Sequence, residues 1–274
     1  MAITLPDAAF AAGLTRLHSA LSALLAVEVR QLDELTPEEI ALETQWIAEL
    51  DPVLTDLYWW PLRNGVQEAP EDEDSLKEWL LAAFLLGGTS TLRNLLSRNQ
   101  RRGANIGGRV GLELMGIGGG FSLQNRDYLD IIDAHAAQLT TPGGDMSLID
   151  TTINHLTVGI PLARANEGNT VQMLQRMIAG WVAVRAVNIT VTELSRSFAR
   201  GLNWVYRRNN VAQQIFQTRQ DDRVCRLCLP LHGRIMPVNN IPLELLVPIH
   251  AGCRCGYVPY TEGWSQPEQI WRGE

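Results

Sequence analysis

The stretch Arg207-Arg208-Asn209-Asn210-Val211-Ala212-Gln213-Gln214-Ile215-Phe216-Gln217-Thr218-Arg219 decides the fold. Up to Asn209 the apolar residues recur at the 3.6-residue period of a helix. Beyond it they fall into short runs bounded by turn residues, the pattern of strands. Segments 213–219, 234–238 and 256–260 are the strand candidates.

These candidates bracket all four cysteines of the 274-residue chain. Cys225-Arg226-Leu227-Cys228 is answered by Pro248-Ile249-His250-Ala251-Gly252-Cys253-Arg254-Cys255, with 21 residues between Cys228 and His250. Two short-spaced chelating ends of this kind suit one tetrahedral Zn²⁺, and metal binding supplies folding energy that a small loop-rich segment lacks. The expected ligands are Cys225, Cys228, His250 and Cys253. Cys255 can stand in for Cys253 or for His250, and the spacing leaves that choice open. His232, just before Gly233, is a weaker competitor. Disulfides are the less favoured reading, because the first residues carry no secretion signal.

Upstream the chain reads as helices. Leu5 to Leu32 carries Phe10, Leu14, Leu17, Leu21, Leu24 and Leu25 on one stripe. Thr36-Pro37-Glu38-Glu39 is a helix start, with an N-cap Thr, Pro at the first position and Glu at the third. Asp51-Pro52 is expected to open a separate short helix toward Tyr58-Trp59-Trp60, and Ser75-Leu76-Lys77-Glu78 to form a second capping box. Gly87-Gly88 ends that helix and 89–102 follows. The glycine-rich stretch 103–120 is expected to be a loop; it lacks the Gly-Lys-Ser/Thr of a phosphate cradle. Further helices are expected from Phe121 (Leu129, Ile132, Ala136, Leu139), from Ser147 or Asp145 with a kink at Pro161, over 170–181, and over 185–208. His135 and His155 lie on these helices as polar positions without a ligand partner nearby. The fold class is therefore mainly α: a multi-helix body followed by a small C-terminal α+β module with short strands around zinc. Its divisions are an N-terminal helical region 1–120, a helical part 121–209, a zinc-binding module 210–260 and a tail 261–274 with Trp264 and Trp271.

The net charge of −7 is unevenly spread: residues 1–80 hold 16 Asp/Glu against 4 Lys/Arg. Between residues 185 and 234 there are nine arginines and three acids, Glu193, Asp221 and Asp222. Arg196, Arg200, Arg207 and Arg208 form a candidate phosphate-contacting face, since guanidinium forks match phosphate oxygens. A solvated helix face is the plainer reading. The longest apolar run, 79–86, is too short to span a bilayer, so no membrane partner is expected.

Taken together, Thr192-Glu193 on a helix, Asp221-Asp222-Arg223-Val224-Cys225-x2-Cys228-x4-Gly233 and Pro248-x-His250-x2-Cys253-Arg254-Cys255 resemble the phage head morphogenesis, or minor head protein, family, which includes the Mu-type minor head proteins. The resemblance covers about residues 121–260, and residues 1–120 match nothing. Two positions depart from the family pattern: Val191 where Arg is usual, and His232 where an acid is common. The resemblance implies a non-enzymatic virion protein of a tailed bacteriophage head, made in the host cytoplasm. It implies association with the portal or the major capsid protein at the inner capsid wall, and a part in head assembly or genome packaging and delivery. Under this reading zinc is structural, Asp221 and Asp222 cap or hydrogen-bond the metal loop, and Arg254 offsets the thiolate charge or pairs with one of those acids. The alternative is a zinc-dependent nuclease or a DNA-binding virion protein. A thiolate-rich set leaves no open coordination position for hydrolysis, and the deaminase His-x-Glu signature is absent.

Overall fold

The computed structural model describes residues 36–260 apart from 64, 87–88, 145, 166–168 and 220–223. The expected helix at Leu5–Leu32, the Gly87-Gly88 break, the Asp145 cap, Asp221, Asp222, Trp264 and Trp271 lie outside the described residues. The described residues are mainly helical, with three short antiparallel strands toward their C-terminal end.

Among the described residues, six α-helices precede the sheet: α1 (Pro37–Trp59), α2 (Glu73–Leu85), α3 (Ser90–Leu114), α4 (Arg126–Leu139), α5 (Leu148–Ala165) and α6 (Thr170–Arg208). The start of α1 forms the expected reciprocal box. Glu39 donates its N–H to Thr36 Oγ1 (3.1 Å), and Thr36 returns its own N–H to Glu39 Oε2 (2.8 Å). Helix α1 then runs through Pro52 instead of restarting there. Buried Trp46, Leu50, Leu54, Leu57 and Tyr58 keep one helical period on both sides of the proline, so tertiary packing outweighs the missing N–H. Helix α2 is capped by Asp72, whose carboxylate accepts the Ser75 N–H (2.8 Å), and not by a box beginning at Ser75. Ser147 caps α5 by accepting the Asp150 N–H (3.1 Å), and Pro161 lies inside that helix. The segments expected at 170–181 and 185–208 are one helix of 39 residues.

The largest departure is α3. Residues 103–114, expected as part of a loop, are helical, and only 115–120 are not, with 116–120 exposed. Gly103, Gly107 and Gly111 recur every fourth residue on one face. A Cβ on Gly107 would stand 2.1 Å from the carbonyl oxygen of Phe198 on α6, and one on Gly201 of α6 would stand 2.1 Å from that of Ala104. Bare backbone lets the two helices touch, and this packing outweighs glycine's low helix propensity. Buried Gln100 donates to Glu193 Oε2 (2.8 Å) at the same crossing.

The described residues form two compact units. Unit 1 contains 46–98 and 126–187; unit 2 contains 36–45, 99–125 and 188–260. In unit 1, α2 packs on α5, and Arg164 of α5 donates to the carbonyls of Val66 and Ala69 (2.6 Å each) and of Pro70 (3.2 Å). Arg185 is buried and donates to Tyr58 Oη, Thr152 Oγ1 and the Leu148 carbonyl, each at 2.8 Å. Tyr58 Oη in turn lies 2.6 Å from His155 Nδ1, beneath Trp181. Among the described residues, α6 is the one helix long and apolar enough to cross a membrane; half of that apolar window is buried inside the protein.

In unit 2, α6 ends at Arg208, and Asn210, two residues beyond, adopts φ 55°. Val211 N–H reaches the Tyr206 carbonyl (3.0 Å) and Asn210 N–H the Arg207 carbonyl (3.3 Å). This left-handed cap turns the chain into β1 (Gln213–Gln217), the central strand between β2 (Ile235–Pro237) and β3 (Gly256–Tyr260). Gln213 pairs with Pro237 and Tyr260, and Ile215 with Ile235 and Val258. Pro237 and Pro259 sit on the two edge strands, where a missing N–H is tolerated. Tyr206 Oη donates to the Tyr257 carbonyl (3.1 Å). Tyr257 Oη donates to the Leu245 carbonyl (2.9 Å) and accepts the Val247 N–H (2.9 Å), bracing the chain that leads into His250.

Candidate metal centre

The cysteines sit at the ends of tight local turns. Cys228 directs its N–H to Cys225 Sγ (3.3 Å), while Leu229 N–H bonds to the Cys225 carbonyl (3.0 Å). Backbone donors aimed at a sulfur favour its thiolate form. On the second side, Gly252 has φ +76°, a conformation that suits glycine, and Cys253 N–H closes the turn on the His250 carbonyl (3.1 Å). Cys255 lies just ahead of β3.

These turns gather five donors. Cys225, Cys228 and His250 form one group with ligand atoms within 4.8 Å of one another, and Cys228, Cys253 and Cys255 form a second. Cys228 belongs to both. His250 Nε2 is 2.8 Å from Cys225 Sγ and 3.2 Å from Cys228 Sγ. His250 Nδ1 lies 2.8 Å from the Ala251 carbonyl, which can only accept, so Nδ1 carries the hydrogen and Nε2 keeps its lone pair toward the sulfurs. The Cys228 and Cys253 sulfurs are 3.9 Å apart, close to the ~3.8 Å separating two thiolates on a tetrahedral ion with metal–sulfur bonds of about 2.3 Å. A cavity of about 20 Å³ lies among Cys225, Cys228, His250, Cys253 and Cys255, with Arg219 and Arg254 also on its wall.

The electrostatics suit a cation among these sulfurs. Hydrogen bonds from Cys228 and Cys255 drive the Cys253 thiol far down, whereas Cys228 is driven up by its bond to Cys253. Three buried sulfurs this close cannot all ionise without a positive charge between them. Burial pushes the Cys225 thiol up, but hydrogen bonds from Cys228 and the nearby His250 outweigh it and the net shift is downward. The residues present therefore fit a metal ion, and the two groups can hold one.

Two side chains hold the second ligand turn from behind. Thr192 Oγ1 accepts the Gly252 N–H (2.8 Å), so the threonine of the Thr192-Glu193 pair touches the turn between His250 and Cys253 directly. Arg219 Nε donates to the carbonyl of Arg254 (3.1 Å), between Cys253 and Cys255, and Arg219 Nη2 meets Glu39 Oε1 at 2.7 Å. Glu39 and Arg219 are both buried. Sequence reasoning named Glu39 only as a helix cap and did not single out Arg219, because no spacing rule links positions 180 apart. His232 stays outside the cluster: its Nδ1 lies 3.2 Å from the Thr218 N, which donates to it, and burial lowers its pKa.

The four arginines of the candidate phosphate face have different settings. Arg196 pairs with buried Glu193 (3.3 Å). Arg207 is exposed and reaches the Val238 and Asn239 carbonyls at 3.4 Å, and Arg208 lies over the Trp204 ring at 4.9 Å. Arg200 is half-buried. Of the helix histidines, His135 is buried on α4 and His155 belongs to the Tyr58–Arg185 cluster. No family model, curated protein or solved structure matches this chain.

Proposed function

We propose that this chain is a structural, non-enzymatic protein of a tailed-phage head, associated with the portal or the major capsid protein, and that a Zn²⁺ ion clamps the loops of its C-terminal module. The observation that carries this reading is the convergence of the residues behind the family resemblance. Cys225, Cys228, His250, Cys253, Arg254 and Cys255 line one cavity, and Thr192 is bonded to the turn that holds Cys253. A set of thiolates and one imidazole that fills four positions supports a structural role, since hydrolysis needs one position open. Cys225, Cys228, His250 and Cys253 are the preferred ligands.

The test is metal analysis of the purified protein together with assembly in infected cells. The expected result is one zinc per chain, and loss of incorporation into heads when Cys225 and Cys228 are both replaced by Ser. Metal-free protein that folds and assembles normally would overturn the proposal.

Contact with packaged DNA is a second property, favoured by the distribution of charge. Residues 188–260 of unit 2 hold nine arginines against four acids, whereas unit 1 holds 15 acids against 8 basic residues. Arg207 and Arg208 are the most exposed of the four candidate contacts. Binding to duplex DNA should weaken steeply with salt and weaken further in an Arg207→Glu, Arg208→Glu variant. Absence of binding at low salt would remove this property and leave the structural reading intact.

A further inference from the structure

Glu39, in the first turn of α1, precedes the candidate ligand Cys225 by 186 residues. That turn nevertheless reaches the metal cavity. Glu39 uses its two carboxylate oxygens for different tasks: Oε2 accepts the Thr36 N–H and closes the helix cap, while Oε1 accepts from Arg219. The guanidinium of Arg219 lies over the Phe198 ring at 5.6 Å, and its Nε grips the carbonyl of Arg254. That carbonyl belongs to the residue between Cys253 and Cys255, so its direction bears on where both sulfurs point. We propose that Glu39 and Arg219 are positioning residues of the metal centre, holding the Cys253-Arg254-Cys255 turn in its ligating conformation from the first turn of α1.

The inference rests on the reading of this cluster as a metal centre. Two features make Glu39 more than a general support for the fold. The pair is almost fully buried, with side-chain exposures of 4% for Arg219 and 2% for Glu39, so its geometry is fixed by packing and not by solvent. And the path from Glu39 to the ligand turn consists of two hydrogen bonds, with the Arg219 guanidinium as their single link. Groups that orient ligands from behind typically change metal affinity by about 10–100-fold when removed. Binding and positioning are reciprocal: if the ion pair favours metal binding, metal must favour the ordered first turn of α1 to the same extent.

The experiment titrates full-length apoprotein with Co²⁺, whose absorption reports thiolate ligation and tetrahedral geometry, against a competing chelator. Glu39→Gln is expected to weaken Co²⁺ binding by about 10–100-fold with an unchanged tetrahedral thiolate spectrum. Thr36→Ala removes the cap hydrogen bond but leaves the carboxylate on Arg219, and is expected to bind as tightly as wild type. Equal affinity of Glu39→Gln and wild type would overturn the inference, as would an equal weakening by Thr36→Ala. A measurement on the wild type covers the case in which Glu39→Gln does not fold. Zn²⁺ should slow hydrogen exchange at the Glu39 and Ile40 amides, and identical rates with and without Zn²⁺ would overturn the inference. A wild-type chain that takes up neither ion would remove the metal reading itself, together with this one; normal uptake with no effect of Glu39→Gln removes this one alone.

Discussion

Gly107 of α3 faces the main chain of Phe198 on α6 so closely that the space of a methyl group is already occupied by a carbonyl oxygen. The obstacle is backbone, which cannot swing aside as a side chain can. Gly107→Ala and Gly201→Ala should each destabilise the protein by about 3 kcal/mol, at the upper end of overpacking effects. Gly180→Ala is the control. It lies on an exposed part of α6 with nothing within 4 Å of the added carbon, and should stabilise by about 0.5–1 kcal/mol. Chemical denaturation of the three variants checks both signs.

His155 makes stability depend on pH. Arg185 can only donate to Tyr58 Oη, so the phenol hydrogen points to His155 Nδ1, and the imidazole must be neutral there. Burial, and then the charge of Arg185, hold its pKa below the ordinary 6.5. Tyr58, Trp181 and Arg185 surround it, and Arg185 is the charged group that faces it. Below that ordinary value the unfolded chain binds a proton that the folded chain resists, so stability rises with pH. The contribution is complete above pH 6.5, falls as the pH drops below it, and levels off beneath the folded pKa. His155→Gln keeps an acceptor for Tyr58 and should flatten the melting temperature between pH 7.5 and 5.5 relative to wild type.

Cys228 is shared by both donor groups, so Cys228→Ser should abolish Co²⁺ binding whichever residue is the fourth ligand. Cys255→Ser should keep a tetrahedral spectrum with three thiolates, whereas His250→Ala should lose it. The reverse pattern would assign the fourth position to Cys255.

Asn210 holds a left-handed conformation at the end of α6. Asn210→Gly should be neutral to stabilising, and Asn210→Val should destabilise by roughly 1–2 kcal/mol, the penalty of a side chain at positive φ. Thermal unfolding of the pair gives the difference directly.

What could be read in advance follows from the range of the interactions. The Thr36–Glu39 box, the change of period at Asn209-Asn210 and the approximate strands are set by neighbours within a few residues, and all three are found in the structure. The cysteine and histidine spacings belong to the same class, because each ligand turn closes locally. Pro52 and the glycines of α3 were misread for the opposite reason. Locally they break helices, and only a distant partner, the buried stripe around Pro52 or the Phe198 backbone beside Gly107, reverses that preference. Arg219 gave no local signal at all. Its importance comes from where Glu39 and the Arg254 carbonyl are brought in space.

The Glu39–Arg219 pair also orders events in time. Its partners are 180 residues apart, and at about 5–20 residues per second of synthesis roughly 9–36 s separate their appearance. During that interval α1 exists without its buried counter-charge, and the ligand turn that Arg219 holds has not yet been made. The pair therefore closes only after residues 39 to 219 have all been made, and the Cys253-Arg254-Cys255 turn acquires its support when the earliest described helix meets a segment synthesised long after it.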